Sequence, residues 1–146
     1  MRIVGIIPAR MGSSRYPGKP METIHNMPMI GHCYHRTALS LGAENTYVAT
    51  CDTEIYEYIL SIGGKAIMTA NTHTRATTRT AEALEKIEVQ IDEKIDVVVM
   101  VQGDEPLIQP NTISETVLYF QDQRVNIVNI MSRLPTKEAF DDENNV

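Results

Sequence analysis

Ile3-Val4-Gly5-Ile6-Ile7 carries no charge, and the chain runs from it straight into a segment crowded with cations, hydroxyls and glycines. A run without polar alternation suits a strand covered on both faces, which is the condition of a strand inside a parallel sheet. Behind it stand Arg10, Arg15 and Lys19, the hydroxyls of Ser13 and Ser14, and Gly12 and Gly18. Phosphate oxygens require fixed N–H donors, close backbone approach and positive charge, and this segment offers all three. The spacing is not that of a P-loop, because Lys19 is followed by Pro20 where a Ser or Thr would stand, nor that of a GxGxxG dinucleotide turn. A basic segment directly after the first strand of an α/β pattern points to a ligand site, since such sheets bind at the carboxyl ends of their strands.

The rest of the chain alternates between strand and helix signals. Residues 2–7 are predicted as the first strand. Pro28 to about Leu41 reads as a helix, with Met29, Ile30, Cys33, Tyr34 and Ala38 inward and Gly42 closing it. A short strand over 46–50 follows. Asp52 is predicted to cap a helix over 53–61, which Gly63-Gly64 ends. After a strand over 65–68 comes a helix over 77–86, with Ala81, Leu84 and Ile87 inward. Residues 95–101, nearly all β-branched and uncharged after Asp96, predict a central strand. A helix over 111–120 places Ile113, Val117 and Phe120 on one face, and 125–133 is predicted as a last strand. The pattern is that of a three-layer α/β domain over 1–146, a mostly parallel sheet with helices on both faces.

Composition narrows the functional classes. The net charge of −6, with no basic stripe beyond the one local segment, argues against nucleic acid as a partner. No apolar run reaches the ~18 residues that span a bilayer, and the N-terminus lacks the order of a signal peptide. Two cysteines, Cys33 and Cys51, are too few for a disulfide framework or a zinc site and read as core filling in a reducing, cytoplasmic protein. His25, His32 and His35 read as surface or core-edge residues. No Ser/His/Asp or Cys/His arrangement for a protein nucleophile is apparent.

Pro8-Ala9-Arg10 and Ser14-Arg15-Tyr16-Pro17-Gly18-Lys19-Pro20 resemble the opening of the sugar-acid cytidylyltransferases, and most closely the enzymes acting on 3-deoxy-manno-octulosonate (Kdo). Val101-Gln102-Gly103-Asp104-Glu105-Pro106-Leu107-Ile108 is similar to that family's metal- and nucleotide-binding strand end. Lesser echoes are Asn26-Met27-Pro28-Met29-Ile30, Val48-Ala49-Thr50-Cys51-Asp52 and Gly63-Gly64. The resemblance implies a Rossmann-like nucleotide-diphospho-sugar transferase fold. It implies transfer of a cytidylyl group from CTP to a Kdo-like sugar acid with release of pyrophosphate, and Mg²⁺ as cofactor. It further implies Arg10, Ser13, Ser14, Arg15 and Lys19 around the triphosphate, Asp104 on the metal, and Gln102, His73, Thr77 and Arg79 on the nucleotide. Lys19, Arg10 and Asp104 are the expected catalytic set. A homodimer is among the assemblies it allows.

Residues 73–79 depart from the family's pattern. Relatives write His-x-Ser-Gly-Thr followed by an acid and Arg, whereas here Arg75 and Ala76 replace Ser and Gly, and Thr78 replaces the acid. Ala at a position needing positive φ would cost about 1 kcal/mol, and Arg75 would either crowd the base or add a phosphate contact. Cytosine therefore follows from the resemblance alone, and the alternatives are a related nucleotidyltransferase with a different base or sugar or a non-catalytic nucleotide-binding fragment. The polar run 137–146 falls where relatives continue into a sugar-binding half, so the expected reading is a truncated, N-terminal nucleotide-binding portion. On that reading the chain by itself is expected to bind nucleotide but to turn over slowly.

Overall fold

The computed structural model describes residues 1–12 and 16–131. Ser13, Ser14, Arg15 and everything from 132 onward lie outside the described residues. In chain order, β1 (Ile3–Ala9) leads through a small hairpin, β2 (Thr23–Ile24) and β3 (Met27–Pro28), into α1 (Met29–Leu41). Then come β4 (Thr46–Thr50), α2 (Thr53–Ser61), β5 (Lys65–Met68), α3 (Ala76–Ile91), β6 (Val97–Met100) and α4 (Pro110–Leu118).

Four strands form one parallel sheet in the order β5-β4-β1-β6. The chain builds outward from β1 through β4 to β5, then α3 carries it back to the opposite flank of β1. Right-handed crossovers place helices on opposite faces when that direction reverses. Ile7 and Val48 accordingly pack on Ile30, Cys33 and Tyr34 of α1, Ile55 and Ile59 of α2 and Ile113 of α4. On the other face Val4, Ile6, Tyr47, Ala49 and Ile67 pack on Ala83 and Ile87 of α3. The expected three-layer α/β architecture is therefore present. Each fully buried Ile, such as Ile6, Ile7 or Ile59, contributes roughly 1.5–3 kcal/mol of burial. The reversal of strand order falls between β1 and β6, where a crevice opens beyond the strand ends.

Several boundaries and faces differ from the sequence expectation. β1 runs two residues further, through Pro8; β6 stops pairing at Met100 opposite Ile6, so a residue without an N–H interrupts no bond on that flank. β6 is not central but the outer strand among the described residues; an apolar run reports covered faces and says nothing about which neighbours it has. No strand forms over 125–131, because a strand exists only against a partner's ladder and none is offered to it there. α3 extends to Ile91, as nothing before Asp92 (φ 54°) breaks it. Its inward face is Arg79, Thr80, Ala83 and Ile87, and Ala81 is exposed. Phe120 is half-buried in a 3-10 turn that follows α4.

Candidate functional site

A cleft of about 540 Å³ opens at the carboxyl ends of the strands, lined on one side by the segments following β1 and β6 and on the other by the connection from β5 to α3. Of the residues singled out from sequence, Arg10, Lys19, His73, Arg79, Gln102 and Asp104 all line it. Thr77 does not; it stands exposed in the first turn of α3. Ser13, Ser14 and Arg15 lie outside the described residues. Tyr16, Met29 and Thr74 also line the cleft; Tyr16 and Met29 fall in the family motifs, but no sequence argument assigned any of the three a role in the site.

The β1/β6 side is built around an ion pair. Lys19 Nζ donates to Asp104 Oδ2 at 2.9 Å, and both side chains remain nearly half exposed, at 41% and 48%. Lys19 opens a 3-10 turn whose N-cap, Gly18, has φ 79° and donates its N–H to the Met11 carbonyl at 2.9 Å. Asp104 is placed by its neighbour Gly103, which is buried against β1. A Cβ on Gly103 would lie 2.7 Å from the Pro8 carbonyl oxygen and 3.3 Å from the Ala9 Cβ. Only glycine lets the two strand ends come this close. Gln102 is exposed at the rim.

The far side is held from within. Arg79 is 3% exposed; its Nη1 donates to Thr69 Oγ1 and to the Ala70 carbonyl, while Nη2 has no hydrogen-bond partner among the described residues. Glu82 accepts the Ala70 N–H at 3.0 Å, bonds the His73 ring and pairs with Lys86 at 2.7 Å. Lys86, the Ala70 N–H and His73, in that order of effect, hold the Glu82 carboxyl down to about 2. These partners clasp the 69–73 connection to α3. The expected strain at Ala76 is absent: Ala76 is the first residue of α3, and the non-glycine positive-φ residues among those described are His25, Asn26 and Asp92 alone. Thr78 Oγ1 donates to the carbonyl of Arg75, the N-cap, a local bond that threonine forms readily in a first turn. Arg75 and Ala76 both line the cleft.

Asp52 departs from its expected role. It is the N-cap of α2, yet its side chain makes no capping bond and instead accepts the Met11 N–H at 2.8 Å. Cys33 is fully buried, and burial pushes its thiol up to about 12, so it is packing and not chemistry. Among the described residues no group of three or more His, Cys, Asp and Glu could hold a metal ion, and no helix is long and apolar enough to cross a membrane.

Residues 4–146 match the family model described as cytidylyltransferase. The 8-amino-3,8-dideoxy-manno-octulosonate cytidylyltransferase of Shewanella sp. (strain W3-18-1) is 42% identical over 123 residues, which is 84% of this chain and 49% of that protein. The solved structure of CMP:2-keto-3-deoxy-manno-octonic acid synthetase complexed with CTP superposes with a TM-score of 0.77 at 39% identity, over 85% of this chain and 49% of the other. A cytidylyltransferase structure from Leptospira borgpetersenii gives 0.71 at 26% identity, over 84% and 50%. The chain spans about half the length of the curated relatives it matches.

Proposed function

This chain belongs to the cytidylyltransferase family, and we propose that its cleft holds CTP with Mg²⁺ for cytidylyl transfer to a Kdo-like sugar acid. The observation that carries the proposal is the meeting of Lys19 and Asp104 at 2.9 Å, from the segments after β1 and β6, at the point where strand order reverses. An exposed ion pair of this kind contributes only about 0–1 kcal/mol. It is therefore readily exchanged: Lys19 can turn to a phosphate and Asp104 to a cation without loss of fold.

The donor set suits Mg²⁺ carried in with a nucleotide. Mg²⁺ is commonly held by one or two carboxylates together with substrate phosphates and water, not by a dedicated protein cage. A half-exposed carboxylate outside any cluster of three or more His, Cys, Asp and Glu among the described residues fits that mode. When bound, the ion neutralises phosphate charge and draws electron density from the α-phosphorus. The remaining work falls to the chain. Arg10 and Lys19 neutralise the triphosphate oxygens and the departing pyrophosphate, which is the larger part of catalysis in reactions of this type. Gln102, His73 and Arg79 face the nucleoside, with Arg79 fastened by Thr69 Oγ1 and the Ala70 carbonyl. Arg15, Ser13 and Ser14 complete the proposed phosphate contacts. The acceptor's anomeric hydroxyl forms the new O–P bond and loses its proton, and the bond from the α-phosphorus to pyrophosphate breaks, giving a CMP-sugar.

Calorimetry with CTP tests the reading. CTP binding is expected to weaken by about tenfold or more in EDTA and in Asp104→Ala, while Asp104→Ala leaves urea stability within about 0.5 kcal/mol. Equal affinity with and without Mg²⁺ removes the metal role. A parallel pyrophosphate-release assay with four nucleotides and several sugar acids identifies base and acceptor.

A further inference from the structure

Asp52 is a carboxylate from outside the cleft that bonds the main chain of the segment following β1. Its main chain behaves as an N-cap should, accepting the Tyr56 N–H at 3.1 Å to begin α2. Its side chain leaves the first N–H groups of α2 uncapped, forgoing a bond typically worth about 1 kcal/mol. Oδ2 takes the Met11 N–H at 2.8 Å instead and lies 3.6 Å from the Cys51 sulfur, which donates to it. The Asp52 N–H is in turn held by Thr50 Oγ1 at 3.1 Å. Thr50 pairs with Ala9 across the two innermost strands, so the carboxylate is referenced to the middle of the sheet.

What Asp52 holds is the base of the segment. Met11 gives its N–H to Asp52 and its carbonyl to the Gly18 N–H at 2.9 Å, so both of its main-chain groups are fixed. Arg10 immediately precedes Met11, and Lys19 immediately follows Gly18. Two bonds that meet at Met11 thus set where Arg10 and Lys19 leave the backbone. Asp52 is not itself among the residues lining the cleft.

We propose that Asp52 is a positioning residue for phosphate binding, acting through the Met11 N–H to fix the spacing of Arg10 and Lys19. The inference rests on the nucleotide reading of the cleft. Fixed donors bind charge better than mobile ones because no reorganisation is needed on binding.

Two variants and two readouts test it. Asp52→Ala removes the acceptor; Asp52→Asn keeps an oxygen in place and serves as well if Asp52→Ala fails to fold. Amide hydrogen exchange is followed at Met11 in the nucleotide-free chain, and CTP·Mg²⁺ affinity by calorimetry. Asp52→Ala is expected to bind about tenfold more weakly and to lose protection at Met11, and Asp52→Asn to stay within about threefold of the parent. Unchanged or tighter binding by Asp52→Ala, or an equal loss in Asp52→Asn, overturns the positioning role. A parent chain that binds no nucleotide overturns the cleft reading instead, and Met11 protection unaffected by Asp52→Ala shows that the anchor is absent whatever the ligand.

Discussion

The two walls of the cleft are built on opposite plans. On the β1/β6 wall the charged groups stand in solvent, and Lys19 and Asp104 satisfy each other only by a half-exposed pair. On the β5/α3 wall the functional side chains are fastened from behind, with Arg79 buried and His73 bonded to a carboxylate that also grips the backbone at Ala70. The first wall is precise in its main chain, through Gly103 and Met11, and loose in its side chains. The second is precise in both. On the proposed reading, groups that exchange partners when phosphates and cation arrive stand on the loose wall, and groups that judge the shape of a base stand on the fixed one.

Gly103→Ala should break the first wall and have the largest effect. A Cβ 2.7 Å from a backbone oxygen cannot be relieved by a side-chain rotation, so the strand ends must separate. Overpacking of this kind costs about 1–3 kcal/mol, and the displaced Asp104 should weaken CTP·Mg²⁺ by about tenfold or more. Urea unfolding and calorimetry measure the two losses. If both stay within error of the parent, the close approach of the strand ends does not govern the site.

Removing charge at Glu82 sharpens the contrast from the other side, with a smaller effect that depends on pH. Its carboxyl is held well below the ordinary range, at about 2, by Lys86, the Ala70 N–H and His73. A depressed carboxyl stabilises the fold fully above its unfolded value of about 4.3, and the contribution is lost as pH falls through the interval down to about 2. Glu82→Gln should therefore be less stable than the parent near pH 7, with the gap narrowing as pH approaches about 3. Urea midpoints at several pH values give the curve; parallel curves for parent and variant would show that the clasp contributes nothing.

The sequence made the loose wall legible; on the fixed wall it marked His73 and Arg79 but hid what fastens them. Lys19 and Asp104 each follow an apolar run, so strand-end placement could be read from local pattern. The order of strands and helices was legible for the same reason, since periods of two and 3.6 are written along the chain. Thr69 on Arg79, Glu82 on Ala70 and Asp52 on Met11 are pairings between segments, with no local signature. Asp52 in particular looks like a helix cap from its neighbours, and only β4 lying beside β1 turns it toward Met11. The same lack of partner information made β6 read as central and 125–131 read as a strand. The β2–β3 hairpin escaped because two-residue strands carry no period, and its turn is made by His25 and Asn26 at positive φ with no glycine.

The smallest expected effect concerns how the fixed wall reads the base. Arg75 and Ala76 stand where the resemblance to the family leads one to expect Ser and Gly, and both line the cleft at the start of α3. Ala76 is unstrained there, so the replacement changes the surface offered to the ligand without loosening the helix. A long cation at Arg75 adds a mobile charge to a wall that is otherwise fastened, bringing the habit of the loose wall into the fixed one. Such a charge attracts any nucleotide through its phosphates and does little to separate cytosine from uracil. The double reversion Arg75→Ser with Ala76→Gly is therefore expected to raise the ratio of CTP to UTP affinity by about threefold, under 1 kcal/mol of discrimination. Stability should fall by about 0.5–1 kcal/mol because glycine is the poorer helix former. Competition calorimetry with the two nucleotides reads the ratio directly. An unchanged ratio would assign base selection to the other residues of that wall, with Arg79 the first of them to replace.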